Sequence, residues 1–136
     1  MDSEHKEVVI LRSKVKHNAK LIFNSHSDYS ENIELILSSN EIGEFKSKDS
    51  DFYTALFGLR ALLEPKDIVI CINGCRLDFV CSSMGQQMSQ GMVGYIVEMG
   101  KRGTNKARTF DCCDDQNKLA TVEQQKKYIK QWQESF

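Results

Sequence analysis

Residues 51–73 read DFYTALFGLRALLEPKDIVICIN, and they predict a helix that is followed at once by a strand. Four apolar side chains recur there at the spacing of one helix face, namely Phe52, Leu56, Leu59 and Leu63. Ser50 can cap the N-terminus of this helix. Pro65, the single proline, ends it, because the residue before a proline is pushed out of the helical region. We therefore predict a helix over residues 51–64.

The apolar run at residues 67–73 is rich in β-branched side chains and predicts a buried central strand. Asn73 and Gly74 come next, and an Asn-Gly pair between two apolar runs is a strong signal for a β-hairpin. Residues 77–81 alternate in polarity and predict the second strand of that hairpin.

The sequence before this region favours β-structure. Short apolar runs at residues 8–11 and 21–23 predict the two strands of a hairpin. Alternation at residues 33–37 predicts one more strand. The first 48 residues are therefore expected to be mostly β.

The sequence after residue 81 predicts a short helix, a strand and a final helix. Ser82 or Ser83 can cap the short helix, and Gly91 lies where it would end. Residues 93–99 predict the strand, and a basic loop at residues 101–108 follows it. Thr121 and Gln124 form a capping box for the final helix. One stripe of that helix is expected to dock on the sheet, through Val122, Ile129, Trp132 and Phe136.

These elements predict an α+β fold, in which helices flank a mostly antiparallel sheet in a single domain over residues 1–136. The length of 136 residues, with 40% hydrophobic and 27% charged residues, is typical of one compact globular domain. No apolar stretch is long enough for a membrane span, and the N-terminus lacks the order of a secretory signal. The chain is predicted to be cytoplasmic.

Five cysteines are an odd number, which makes a disulfide framework improbable in a chain without signs of secretion. We interpret them as buried thiols rather than zinc ligands, because their spacing does not give a tetrahedral set. They are Cys71, Cys75, Cys81, Cys112 and Cys113.

No pattern in the sequence predicts an enzyme or a cofactor. All three histidines, at positions 5, 17 and 26, fall in the first 26 residues, and nothing places them beside a nucleophile. The glycines do not form a phosphate-binding loop. Four methionines lie close together in the sequence and are interpreted as core residues, with a protein-contact surface as the alternative, namely Met84, Met88, Met92 and Met99.

The net charge of −1 gives no general attraction to nucleic acid or to a membrane. Residues 28–51 carry a local charge of −5, and Asp111, Asp114 and Asp115 form a second acidic group. Both groups are interpreted either as solvated surface or as contacts for a basic protein partner.

Residues 74–100 read GCRLDFVCSSMGQQMSQGMVGYIVEMG, which resembles the G-x-R-x-D-V-x-P-S-G-M-x-x-x-M-x-x-G-x-x-A-Y pattern of a family of small bacterial proteins. In that family a D-F-Y-x-A-L-x-x-L-R helix precedes the pattern and a T-V-x-E-Q-x-x-x-x-x-W helix follows it, and both have counterparts here. The resemblance covers residues 50–136, whereas residues 1–49 diverge. Cys81, Ser83 and Gly94 depart from the pattern, where the family has proline, glycine and alanine. Members look like immunity proteins of Rhs and contact-dependent growth inhibition (CDI) systems.

The resemblance implies a protein that binds the C-terminal domain of a cognate polymorphic toxin in bacterial competition and blocks its active site or its access to substrate. It implies no enzymatic activity, no cofactor, no nucleic acid and no membrane as partner, and it leaves the oligomeric state open. If the toxin is a nuclease with a basic groove, the expected contacts are Glu34, Glu41, Glu44, Asp49, Asp111, Asp114 and Asp115. The motif residues are expected to be structural, and they are Gly74, Arg76, Asp78, Ser82, Met84, Met88, Gly91, Tyr95 and Trp132.

Two alternatives remain at this point. One is a small cytosolic enzyme or ligand-binding domain that uses the cysteine- and methionine-rich region. The other is a homo-oligomeric structural protein.

Overall fold

The computed structural model describes residues 2–25, 32–103 and 105–136. The α+β class and the antiparallel sheets are confirmed. The chain forms two compact units, Met1–Ile70 and Cys71–Phe136, which are described in turn. Within the described residues, none of the helices combines the length and the apolar character that crossing a bilayer requires.

The first unit contains a five-stranded antiparallel sheet in the order β4-β3-β2-β1-β5. Its strands are β1 (Asp2–Arg12), β2 (Val15–Ser25), β3 (Ile33–Ser39), β4 (Gly43–Asp49) and β5 (Ile68–Ile70). The predicted hairpin at residues 8–23 is confirmed, and its strands are longer than the apolar runs alone indicated. Ser13 and Lys14 close it with positive φ at both positions, the geometry of a type I′ turn.

Helix α1 (Phe52–Leu63) packs on β3 and β4 and completes the core of the first unit. The apolar stripe predicted for this helix is confirmed, because all four of its members are buried. The cap prediction was wrong by one residue. Asp51 caps the helix: its carboxylate accepts from the Thr54 amide at 2.9 Å and from the Thr54 hydroxyl at 2.8 Å. A carboxylate also suits the positive end of the helix dipole.

Pro65 lies in a 3-10 turn (Glu64–Lys66) directly after α1, as the sequence predicted. The strand that follows differs from the prediction. Ile68–Ile70 pair with β1 alone, so β5 is a short edge strand and not a central one, and Ile72 forms only an isolated bridge to Cys112. An apolar run predicts burial of its side chains, but it does not determine how many neighbouring strands it has.

The second unit contains a three-stranded antiparallel sheet in the order β6-β7-β8, with two helices. Its elements are β6 (Phe79–Val80), α2 (Ser83–Met88), β7 (Val93–Ile96), β8 (Asn105–Arg108) and α3 (Val122–Gln133). Short 3-10 turns lie at Asn73–Cys75 and Gln116–Lys118. The second half of the predicted basic loop is therefore strand β8.

The predicted hairpin around Asn73 and Gly74 is wrong. The Asn73 amide donates to the Asp111 carbonyl at 2.9 Å, and the Gly74 amide donates to the Thr109 carbonyl at 2.7 Å. These bonds hold the Asn-Gly pair against a distant segment in a 3-10 turn, and β6 pairs with β7 instead. Tertiary hydrogen bonds thus override the local turn preference.

Helix α3 begins at the predicted capping box, which is confirmed: the Thr121 side chain accepts from the Gln124 amide, and the Gln124 side chain accepts from the Thr121 amide. The predicted docking stripe is only partly correct. Val122, Ile129 and Trp132 are half-buried, whereas Phe136 is exposed. The one buried side chain of α3 is Gln125.

Candidate functional site

The motif segment at residues 74–100 is organised around an ion pair between Arg76 and Asp78. The Arg76 guanidinium donates to both carboxylate oxygens of Asp78, at 2.7 and 2.9 Å. This bidentate contact raises the pKa of Arg76, because it favours the charged guanidinium. The pair fixes the chain between the 3-10 turn and β6.

Helix α2 follows β6 and is fixed in place by a cap and by close backbone contacts. The Ser82 hydroxyl accepts from the Gly85 amide at 3.1 Å, so Ser82 is the cap that the sequence proposed together with Ser83. Gly85 itself leaves little room for a side chain, since a Cβ there would lie 3.1 Å from Cys81 Sγ and from the Val93 carbonyl oxygen, which is closer than ordinary contact. The helix therefore lies directly against the start of β7.

Met84 and Met88 project from α2 into solvent, with exposed fractions of 68% and 81%. The interpretation of these two residues as core was wrong. The cause is the length of α2: its six residues carry no buried side chain, so the helix has no face that packs into a core. The spacing of four residues still places both thioethers on one side of the helix. Met92 is half-buried, and Met99 is exposed.

Gln125 is a site residue that the sequence analysis missed. Its side-chain amide donates to the carbonyl oxygens of Gly74 at 3.1 Å and Phe79 at 2.9 Å. The residue falls three positions after Val122, on the same stripe as Ile129 and Trp132, and that spacing could have identified it. Gln125 thus ties α3 to both ends of the segment that carries the ion pair.

Trp132 joins α3 to the loop after β7. Its indole nitrogen donates to the Lys101 carbonyl at 2.7 Å, and its ring meets the Phe136 ring edge-on at a centroid distance of 5.1 Å. Tyr95, the motif tyrosine, is half-buried in β7 opposite Lys106. Gly91, at the predicted end of the short helix, has a φ of 80°, which a glycine adopts without strain.

The five cysteines are free thiols, and four of them are buried, as predicted; Cys112 is the exposed one. Burial raises the pKa of the Cys113 thiol, whose Sγ lies 3.1 Å from the Asp115 carbonyl oxygen. A raised pKa keeps this sulfur protonated near neutral pH, which is the opposite of what a nucleophile needs. Within the described residues, no group of His, Cys, Asp and Glu side chains has the arrangement of a metal site.

Two of the predicted contact residues in the first unit form ion pairs with lysine. Glu34 lies opposite Lys48 in the β3–β4 pair at 3.8 Å, and it accepts from the Asn24 side chain. Glu44 pairs with Lys46 at 3.2 Å. Asp49 accepts from the Ser50 amide. Glu41, in the β3–β4 turn, is exposed, and so is Glu44. Asp28, Glu31 and His26 lie outside the described residues.

The acidic residues of the second unit lie just after β8. Asp114 and Asp115 are exposed, and Asp111 is half-buried. The Asp115 side chain accepts from the Asn117 amide and caps the 3-10 turn there, so part of its role is structural. Asp114 is the member of this group that is both exposed and outside these contacts.

These features describe a short, well-anchored segment that presents two exposed methionines in the same compact unit as an acidic group. No protein-family model matches this sequence, and a comparison with curated proteins gave no match either. The likeness to immunity proteins therefore rests on the residues quoted above.

Proposed function

We propose that this chain is an immunity protein, which binds the toxin domain of its own system and blocks that domain's active site or access to substrate. Two things support the proposal. One is the resemblance of residues 74–100 to immunity proteins. The other, which carries the proposal, is the exposure of Met84 and Met88 on a helix that Ser82 caps and that lies against the start of β7.

A pair of exposed thioethers suits the binding of a protein. Methionine side chains are flexible and polarizable, so they adapt to an irregular apolar surface. Two of them four residues apart on α2 can enter one apolar depression on a partner. The contacts of Ser82 and Gly85 hold the helix before the partner arrives, so little backbone order has to be gained on binding.

The acidic residues supply the electrostatic part of the proposal. A toxin that acts on nucleic acid carries a basic groove, and exposed carboxylates speed association with such a surface. Asp114 in the second unit and Glu41 in the first are exposed carboxylates of this kind.

The direct test is rescue of cells that express the toxin domain encoded beside this protein. The wild-type chain should protect them and bind the purified toxin domain. The double variant Met84→Asp, Met88→Asp should lose protection and raise the dissociation constant at least about tenfold, since truncating a buried interface anchor commonly costs more than about 1 kcal/mol.

Met99→Asp is the matched control, because Met99 is exposed as well but lies outside α2. It should protect as the wild type does. Failure of the wild-type chain to bind the toxin domain would contradict the proposed function. Protection by the double variant would instead exclude α2 as the contact.

The electrostatic step has a separate readout. Glu41→Lys and Asp114→Lys should each slow association with a basic toxin domain and weaken its dependence on salt, while dissociation changes little. Asp114 is preferable to Asp115, because Asp115 caps a turn. Unchanged association rates in both variants would remove these surfaces from the mechanism.

A further inference from the structure

Strand β4 forms one edge of the five-stranded sheet, and its outer side is open within the described part of the first unit. Its seven residues pair with β3 in unbroken register, from Ile33 opposite Asp49 to Ser39 opposite Gly43. The strand has no bulge and no proline, which are two of the devices that protect sheet edges. It does carry a third device, the charged side chains of Lys46 and Lys48, so another strand can pair here only where it offers them opposite charges. A regular edge of this kind is a template for another strand.

Helix α1 has an exposed apolar side next to the same edge. Gly58 is exposed, and a Cβ there would meet the Ser47 hydroxyl of β4, so this side of the helix lies along β4. Leu62 follows one turn later on that side and is 47% exposed, and Ala61 beside it is exposed too. The strand edge and the helix side therefore form one continuous surface.

The side chains of β4 are complementary to a second copy of themselves. Glu44 and Lys46 point to one face of the sheet, and Phe45 between them points to the other. In an antiparallel pair with a two-fold axis at Phe45, Glu44 of each copy faces Lys46 of the other. Moving the axis to Glu44 places Glu44 opposite Glu44. Moving it to Lys46 places Lys46 opposite Lys46, although Glu44 then faces Lys48. Of these three registers, the one centred on Phe45 has no like charges facing each other within the strand, so the charges favour it.

We propose that two copies of this chain associate through their β4 strands, antiparallel and centred on Phe45, with the Gly58–Leu62 sides of the two α1 helices adjoining the same interface. The edge amides and carbonyls then pair between copies, and Leu62 is covered. This dimer goes beyond the immunity function and does not depend on it. Because one seven-residue edge and a helix side form a small interface, the dimer should dissociate on dilution.

Sedimentation equilibrium of the isolated chain tests the proposal. The mass should rise from 15.6 kDa toward twice that value as concentration increases. Glu44→Lys and Lys46→Glu alone should each raise the dissociation constant about tenfold, because each replaces two attractive cross-strand pairs by two repulsive ones. The double variant E44K/K46E exchanges the charges and should restore the wild-type constant.

Leu62→Asp should also weaken the dimer, whereas Val15→Asp should leave it unchanged. Val15 is the matched control, since it is 57% exposed and lies at the β1–β2 turn. Circular dichroism should show the wild-type fold in every variant. A monomer at all concentrations overturns the proposal, and so does a dimer that neither the single reversals nor Leu62→Asp weaken. Toxin protection is measured in cells independently, so failure of one proposal is distinguishable from failure of the other.

Discussion

The side-chain amide of Gln125 in α3 donates to the carbonyl oxygen of Phe79 in β6 at 2.9 Å, and the same nitrogen reaches the carbonyl oxygen of Gly74. One buried polar side chain thereby fastens the last helix to the segment that carries the Arg76–Asp78 pair. Because the amide is buried, its partners have little access to water when it is removed.

Gln125→Ala should lower the free energy of unfolding by about 2 kcal/mol, since it removes two hydrogen bonds and leaves a small void. Gln131→Ala, at an exposed position of the same helix, should change it by less than about 0.5 kcal/mol. Urea denaturation of the two variants measures the difference. Equal losses in both would show that helix propensity, and not the buried amide, determines the effect.

The cap of α1 gives a second prediction. Asp51→Ala should cost about 1–2 kcal/mol of stability, because it frees the Thr54 amide and removes a carboxylate from the helix N-terminus. Ser50→Ala should cost less than about 0.5 kcal/mol, because Ser50 does not cap the helix. Thermal denaturation of the two variants measures both losses of stability and shows which of the two residues caps the helix. A larger loss for Ser50→Ala would contradict the assignment.

Cys113 should make the fold less stable in alkali. Burial raises the pKa of its thiol above its ordinary value of 9.0, so above that pH the folded chain keeps a proton that the unfolded chain loses. The stabilising contribution of the thiol is complete below pH 9.0 and is lost as the pH rises through the higher pKa of the folded state. The free energy of unfolding should therefore decline as the pH rises above 9.0, and the decline should be smaller in Cys113→Ala.

Cys112→Ala is the control for this prediction, because Cys112 is its exposed neighbour. It should retain the wild-type decline. An identical pH profile for Cys113→Ala and the wild type would mean that the buried thiol contributes nothing to alkaline sensitivity.

Local patterns predicted the elements that depend on a few neighbouring residues. The stripe on α1, the capping box of α3 and the first hairpin are of this kind, since each is determined by side chains within one or two turns. The cap at Ser82 was predicted on the same basis, together with Ser83, because the cap and the amide that it accepts from lie three residues apart.

The errors arose where distant residues decide the structure. Asn73 and Gly74 lie in a 3-10 turn, because their backbone amides donate hydrogen bonds to the carbonyl oxygens of Asp111 and Thr109. Residues 68–70 form an edge strand because they pair with β1 on one side, and within the described residues no strand pairs with them on the other side. Exposure of Met84 and Met88 follows from the shortness of α2, which the methionine spacing does not reveal. Periodicity specifies which side chains share a face, but not what covers that face.

The bridge between Ile72 and Cys112 joins positions forty residues apart, and Arg76 bridges Leu119 over a similar interval. Pairing between such distant residues requires a large loop to close before any contact forms. The entropy lost on closing that loop slows folding. On the ribosome, the bridges of the second unit cannot form until residues 112 and 119 have emerged. The strands of the first unit all lie within residues 2–70, so all of them have been synthesised before residues 112 and 119. Synthesis therefore makes all strands of the first unit available for pairing before the bridges of the second unit can close.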